Sequence, residues 1–277
     1  MKHKKKEVSA GKTIDTIAEL GGSAGGALAG MAIGTAVAGP AGTAIGAVAG
    51  TVIEKVFTLL GADLKERVLS PRETRRTGTV FSLTLEKVNQ NIAYGKTLRS
   101  DGFFETQEFT NSPADETLEA TLLAAQREYE ERKLPYIANL YANIVCDSTV
   151  SRETANYLIK TVSEVTYRQL IILKIVYEYQ TNRGQYPKRR DKQYMHLSSF
   201  RAISLATEVF DLYRRSVLHS EITGFQEAIG ITPSALQVGG NGVLLYQLME
   251  LNAITADDPL ICEVLDYMTG KDAAQGE

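Results

Sequence analysis

The clearest pattern along the chain is a small residue at every fourth position from Gly22 to Gly50. Four residues are close to one helical turn, so these positions line one helix face and form a groove where another backbone can approach closely. Glycine costs about 1 kcal/mol relative to alanine in a water-exposed helix, so a regular run of it is favourable only where close packing or lipid offsets that loss. No charged side chain occurs from residue 20 to residue 53. The predicted helix-contact positions are Gly22, Gly26, Gly30, Gly34, Ala38, Gly42, Gly46 and Gly50.

A break at Gly39 and Pro40 divides this stretch into two arms. Proline lacks an amide hydrogen and disfavours helix in the residue before it, so we expect these two residues to form the turn of an antiparallel hairpin. The first arm, uncharged over residues 20–38, is about 28 Å long as a helix, which is close to the hydrocarbon thickness of a bilayer. In the second arm Glu54 and Lys55 follow after about 13 uncharged residues. That arm can therefore span the bilayer only if the helix tilts or if these charged side chains snorkel to the interface.

Large apolar side chains, which supply most of the free energy of membrane insertion, are few in this segment. Between residues 21 and 49 they are Leu28, Met31, Ile33, Val37, Ile45 and Val48. The pattern therefore predicts a marginal membrane span that inserts after a trigger or on oligomerising, when helix packing adds to lipid transfer. A tightly packed hairpin inside a soluble assembly is the alternative.

The rest of the chain shows mostly helical periodicity. A polar stretch at residues 70–79 is predicted to be a linker, and a helix over 80–94 follows it. The side chains of that helix expected to face inward are Phe81, Leu83, Leu85, Val88 and Ile92. Ser112 and Pro113 predict the start of a helix that runs to about residue 132 or continues past Pro135 with a kink. Further helices are predicted at 135–146, 152–165, 166–179, 199–218 and 243–251, with short extended pieces near 222–238.

These elements predict an all-α protein in which a helical hairpin precedes a multi-helix domain. We expect the hairpin, with a basic tip, at residues 1–69, the linker at 70–79, and a helical sensor or interaction domain at 80–277. A basic turn followed by a helix and by the glycines near Gly239 leaves room for a small winged-helix-like element in the C-terminal part.

The charge of the whole chain is near neutral, with 30 basic and 33 acidic residues, and gives no general case for nucleic-acid binding. Positive charge is concentrated at the start, where Lys4, Lys5 and Lys6 precede the hairpin. These lysines are expected to contact an anionic cytoplasmic lipid surface, and a solvated, frayed terminus is the alternative. Further along, Lys188, Arg189 and Arg190 form a basic loop that would serve as phosphate contacts only if this region bound DNA.

No catalytic or metal-ligand pattern stands out. Cys146 and Cys262 do not belong to a paired motif and are interpreted as small buried apolar groups of a reduced compartment. The three histidines lack ligand spacing, and His196 and His219 are expected at the surface or at helix caps. We therefore expect a protein that is not an enzyme and that has no cofactor and no metal.

Two stretches resemble known families. Residues 21–50 resemble glycine-zipper two-helix membrane domains, so the resemblance implies a close-packed glycine-zipper helical hairpin. Residues 132–141 and 165–170, together with residues 231–233 before a helix that ends near 251–254, are similar in layout to bacterial abortive-infection proteins of the Abi-alpha type. This second resemblance implies a role in phage defence.

The favoured hypothesis is a pore- or leak-forming bacterial effector of phage defence or toxin action. The helical domain would hold the hairpin shielded in the cytoplasm and release it, after contact with a protein trigger or partner, to oligomerise in the inner membrane. The alternative is a soluble or peripheral homo-oligomeric scaffold that binds another protein. A DNA-binding regulator anchored at the membrane is a third hypothesis, although nucleic acid is not the expected partner.

Overall fold

The computed structural model describes residues 70–106, 112–181, 186–191, 199–221 and 230–271. Over these residues the protein is all-α, as predicted, with eight α-helices and one two-stranded sheet. The helices are α1 (Pro71–Ala93), α2 (Pro113–Arg127), α3 (Leu134–Ile144), α4 (Arg152–Glu164), α5 (Tyr167–Gln180), α6 (Phe200–Arg214), α7 (Gly240–Leu248) and α8 (Pro259–Thr269). The chain divides into two compact units between Ser163 and Glu164, whereas the sequence predicts a single domain over 80–277.

Helix α1 begins where the sequence predicts a linker. The Ser70 side chain accepts a hydrogen bond from the Glu73 amide at 3.4 Å, and the Glu73 carboxylate accepts one from the Ser70 amide at 2.8 Å. This reciprocal capping box, with Pro71 in the first turn, satisfies amide groups that a helix start leaves without partners. Residues 71–79, which the sequence assigned to a polar linker, are therefore the first part of a helix.

The buried face of α1 differs from the face that hydrophobic periodicity predicts. Its buried residues are Thr77, Val80, Thr84, Val88 and Asn91, which recur at helical spacing and face a unit in which α1 packs against α3 and α2. Of the five apolar side chains expected inward, only Val88 is buried, and Phe81, Leu83, Leu85 and Ile92 are half-buried. The prediction failed because three of the five inward positions carry polar residues.

Helices α2 and α3 are separate. Of the two alternatives that the sequence predicts, the helix that continues past Pro135 is therefore wrong. Helix α2 starts at the predicted Ser112 cap, whose side chain accepts from the Asp115 amide at 3.1 Å, and it ends at Arg127. A 3-10 turn at Glu131–Lys133 then leads into α3, which has Pro135 in its first turn. Proline is tolerated there because the first-turn amides have no partner within the helix.

The second unit is built around α5, which is buried along nearly all of its length. A capping box at Thr166 starts this helix, and α6, α7, α8 and strand β2 pack against it. Strands β1 (Leu218–Ser220) and β2 (Leu236–Val238) pair antiparallel, with Leu218 opposite Val238. Strand β2 lies within the predicted extended region, and β1 lies just before it. Whether this pair belongs to a winged-helix-like element stays a prediction.

Helix α7 lies unusually close to the chain that enters β1. A Cβ placed at Gly242 would lie 2.7 Å from Val238 Cγ1 and within overlap distance of the Val217 carbonyl oxygen. A Cβ at Gly239 would lie 2.9 Å from the Ser216 carbonyl oxygen. The glycines at the start of α7 thus permit a backbone approach that no larger residue allows.

Candidate functional site

The residues predicted to act on a membrane lie outside the part of the chain that the structure describes. This applies to the helix-contact series from Gly22 to Gly50, to the turn at Gly39 and Pro40, and to Lys4, Lys5 and Lys6. None of the helices described from Pro71 to Thr269 is long and apolar enough to cross a bilayer. Among the same described residues, no group of histidine, cysteine and acidic side chains is arranged to hold a metal ion.

Among the described residues of the second unit, the most exposed large apolar side chains are those of α6. Ser199 caps this helix by accepting a hydrogen bond from the Ala202 amide at 3.1 Å, which places Phe200 in the first turn. The Phe200 side chain is 92% exposed and Ile203 is 43% exposed, one turn further along. Thr207 continues the same side of the helix and is also exposed. We call Phe200, Ile203 and Thr207 the Phe200 face.

The opposite side of α6 packs into the core of its unit. Its buried residues are Ala202, Leu205, Ala206, Val209 and Leu212. Phe200 and Ile203 therefore lie on the side of α6 that faces away from this core. Single exposed apolar residues are common on protein surfaces, but a nearly fully exposed phenylalanine next to an exposed isoleucine indicates a contact surface.

A network centred on Arg168 of α5 fixes the position of α6. Its guanidinium donates to both carboxylate oxygens of Glu208 at 2.8 and 2.9 Å, and to Ser204 at 2.5 Å, both on α6. It also donates to Glu263 of α8 at 2.6 Å. The hydrogen bond to Glu208 raises the pKa of Arg168, so the group stays charged at every physiological pH. Because a bidentate pair constrains orientation, α6 presents the Phe200 face on a rigid support.

A buried cluster of titratable groups lies at the C-terminal end of α5. The Glu178 carboxylate accepts hydrogen bonds from Tyr186 at 2.6 Å and from Tyr246 at 3.1 Å, and it pairs with Lys174. Burial, followed by the bond to Glu178, raises the pKa of Tyr186. Such clusters are frequent at active sites. Here Lys174 and Glu178 are both buried, and the arrangement holds residues 186–191 against α5.

The basic loop is bound within its own unit. The Arg189 guanidinium donates to the Leu236 carbonyl oxygen at 2.7 Å and lies 4.8 Å from the centre of the Tyr179 ring. Burial lowers the pKa of Arg189. Lys188, which is exposed, pairs with Asp191 at 2.6 Å. Arg189, one of the three basic residues that the DNA-binding hypothesis needs as phosphate contacts, is thus engaged in holding the loop.

A polar cleft of about 410 Å³ lies in the first unit, between the loop after α1 and the start of α4. Arg99 lines it, but its guanidinium donates to Asp101 at 2.8 Å and to the Val150 carbonyl oxygen at 2.7 Å, and it stacks on Phe103. At the start of α4, the hydrogen bond to its own backbone amide lowers the pKa of Glu153, so a negative charge lines the cleft there. The cleft is therefore poorly suited to an anionic ligand.

The cysteines differ from the prediction that both are buried. Cys146 is half-buried, and burial raises the pKa of its thiol. Cys262 is exposed, because it follows Ile261, which faces the core from α8, and the next helix position points about 100° away. His219 is exposed, as predicted, whereas His196 lies outside the described residues.

Comparison of the chain with protein-family models, with curated proteins and with solved structures finds no match.

Proposed function

We propose that this chain is a non-enzymatic, membrane-active protein. In this proposal the hairpin of residues 20–53 inserts into a bilayer and assembles with copies of itself, and the helical units restrain it until a signal arrives. The observation that carries the proposal is the run of residues 20–53, which is free of charge and has a small residue at every fourth position. This pattern favours helix contacts within lipid, where small side chains let backbones approach.

The energetics favour insertion as an assembly. Leucine, isoleucine, phenylalanine and valine each contribute only about −0.3 to −0.6 kcal/mol at the centre of a membrane helix, and the hairpin contains few of them. A single hairpin is therefore marginal, and helix packing between copies has to supply the rest. Lys4, Lys5 and Lys6 each add about 1 kcal/mol of attraction to an anionic leaflet.

The described helices support a restraining or sensing role over a catalytic one. The carboxylate of the Glu178 cluster is buried and accepts hydrogen bonds from two tyrosines. Arg99, in the cleft of the first unit, is bound by Asp101 and by a backbone carbonyl. The resemblance in layout to Abi-alpha-type proteins favours phage defence at the bacterial inner membrane as the setting. The proposed location is the cytoplasm, with insertion into that membrane on activation.

Dye release from vesicles tests this function. Purified protein is added to dye-loaded vesicles that contain anionic lipid, and a double variant, Gly30→Leu with Gly46→Leu, is compared with the matched control Gly30→Ala with Gly46→Ala. We expect the alanine control to release dye, because alanine keeps the groove shallow, and the leucine variant to be inactive. Equal release by the two variants, or none by the unaltered protein at any lipid composition, contradicts the proposal.

A second candidate function is a soluble or peripheral scaffold that forms homo-oligomers. The exposed Phe200 and Ile203 favour it, because an apolar helix face presented on a rigid support suits protein contacts. Cell fractionation separates the two candidates. If the protein is a scaffold, we expect that it never pellets with membranes, even when it is overexpressed.

A further inference from the structure

Arginine side chains are concentrated at one end of the first unit. Arg72, Arg75 and Arg76 lie within the first two turns of α1. At spacings of three and four residues they share one side of the helix. Positive charge is unfavourable at the start of a helix, because the aligned peptide dipoles already place partial positive charge there. Helix stability therefore does not explain this concentration of arginine.

The chain that leaves α2 adds to the same end of the unit. The Gln126 side chain donates a hydrogen bond to the Glu73 carboxylate at 3.2 Å. Glu131 pairs with Arg75. These two contacts hold residues 127–130 beside the start of α1. We call the following side chains, all exposed except that of Arg76, the arginine surface: Arg72, Arg75, Arg76, Arg127, Tyr129 and Arg132.

The arginine surface has an excess of positive charge. The glutamates among its five arginines are three, namely Glu73, Glu130 and Glu131. Glu128 is buried and pairs with buried Lys133, so this pair adds no net charge. Arginine binds phosphate oxygens through two parallel hydrogen bonds, and tyrosine is enriched where a membrane meets water. Five arginines around Tyr129, which is 75% exposed, therefore suit contact with lipid headgroups.

The place of this surface in the chain favours a bilayer as its partner. Residues 54–69 join the uncharged run of residues 20–53 to Ser70, and 16 residues span at most about 55 Å. When the uncharged run lies in a bilayer, the arginine surface is tethered near the headgroups, at an effective concentration in the millimolar range. We propose that the arginine surface binds the anionic headgroups of the bilayer into which residues 20–53 insert. This inference rests on the proposed function, because it names the surface through which the first unit contacts that membrane.

The expected strength follows from the charge. One arginine held near an anionic leaflet strengthens binding by about fivefold, and this attraction falls off within a Debye length of about 8 Å at physiological salt. Replacing exposed Arg72 and Arg127 by glutamine should therefore weaken binding to anionic vesicles by about 25-fold. Phosphatidylcholine has no net charge, so the same variant should bind pure phosphatidylcholine vesicles as the unaltered protein does.

Fluorescence quenching in the full chain locates the contact. The chain has no tryptophan, so Tyr129→Trp introduces a single indole at an exposed position. The matched control is Tyr94→Trp, at an 85% exposed residue at the other end of α1, about 34 Å along the helix. The vesicles contain equal parts of phosphatidylglycerol and phosphatidylcholine, with acyl chains brominated near the headgroup. We expect quenching and a blue-shifted emission for Tyr129→Trp alone. Equal quenching of both variants, or of neither, overturns the inference.

Vesicle flotation of the full chain measures the contribution of charge. Arg72→Gln with Arg127→Gln is compared with Lys96→Gln with Lys160→Gln, which removes the same charge at two exposed lysines of the same unit. We expect the arginine variant alone to bind the mixed vesicles about 25-fold more weakly, with unchanged circular dichroism. Equal binding by the two variants overturns the inference. So does an arginine variant that binds vesicles normally but no longer binds double-stranded DNA, because nucleic acid is then the partner.

Dye release separates this inference from the proposed function. If the unaltered protein releases dye from the mixed vesicles but Tyr129→Trp is not quenched, the membrane function stands and the arginine surface is not its contact. If Tyr129→Trp is quenched by vesicles that release no dye, the arginine surface stands and the leak-forming function fails.

Discussion

Replacing Gly242 by alanine tests the close approach of α7 to the chain that enters β1. The added Cβ would lie 2.7 Å from Val238 Cγ1 and closer still to the Val217 carbonyl oxygen, whereas real Cβ atoms keep at least 3.0 Å from such neighbours. A backbone carbonyl cannot rotate away, so α7 or the strand has to move. Overpacking of this kind costs about 3 kcal/mol, at the upper end of the usual range. Alanine also gains about 1 kcal/mol over glycine in a helix, which leaves a net loss of about 2 kcal/mol.

Gly240 is the matched control, two residues earlier in the same helix. No atom of the described residues lies within 4 Å of a Cβ placed there, apart from the helix itself and the chain neighbours. Neither glycine has a positive φ, so alanine is compatible with both backbones. We expect Gly240→Ala to raise the free energy of unfolding by up to about 1 kcal/mol. The two substitutions, chemically identical, should therefore change stability in opposite directions.

Urea unfolding monitored by far-ultraviolet circular dichroism measures both effects. The chain has no tryptophan, so tyrosine fluorescence provides the second probe. A lower midpoint for Gly242→Ala at an unchanged slope, and an equal or higher midpoint for Gly240→Ala, is the expected result. If both variants are stabilised to the same extent, the space around Gly242 is larger than the structure shows and the reasoning is refuted.

Three further predictions concern side chains of the described units. Thr84→Val should raise the free energy of unfolding by about 1 kcal/mol, because the Thr84 hydroxyl is buried and has no hydrogen-bond partner among the described residues; a lower value in urea unfolding would show that it has one. Lys174→Met should lower the free energy of unfolding by about 3–5 kcal/mol, because it leaves the buried Glu178 charge without its cation. Adding Glu178→Gln should recover part of this loss in the same assay. With a thiol-specific disulfide reagent, exposed Cys262 should react fast. Half-buried Cys146 should react slowly, because burial limits access to its thiol and raises its pKa, which lowers its thiolate fraction at pH 7; equal rates at pH 7 contradict this.

A capping signal predicted the start of α2, where Ser112 precedes Pro113. The helix predicted at 166–179 came from its apolar residues, and the structure starts α5 with a capping box at Thr166 and Gln169. Helix α8 was not predicted. The same kind of signal at Ser70 and Glu73 was missed, because the polar residues around it suggested a connector. Capping chemistry is local, so it can be found in a sequence whether or not the surrounding stretch is apolar.

Burial was harder to predict than helix formation. Helix α1 turns Thr77, Thr84 and Asn91 inward, and hydrophobic periodicity gives no weight to such positions. On α6 both the core face and the Phe200 face carry apolar residues, so the periodic pattern does not show which side is covered. The direction in which each helix packs depends on its tertiary neighbours, which periodicity alone does not identify.

The Glu178 cluster could not be predicted, because it forms through contacts between residues that are distant in sequence. Tyr246 reaches Glu178 across 68 positions of the chain, and Tyr177 stacks on the same tyrosine with ring centres 3.9 Å apart. A carboxylate four residues after Lys174 in a helix usually indicates a solvated pair on an exposed face. Only the packing around α5 shows that this pair is buried, so its spacing in the sequence gave no sign of the cluster.

Dye entry into living bacteria tests the central claim most directly, namely that residues 20–53 act on a bilayer. The full chain and a chain lacking those residues are expressed to the same level from an inducible promoter, and growth and uptake of an impermeant dye are recorded. We expect the full chain to arrest growth and admit dye within the same interval, and the deleted chain to do neither. Equal dye entry with both chains, or growth arrest by the full chain in cells that stay impermeable, contradicts the claim.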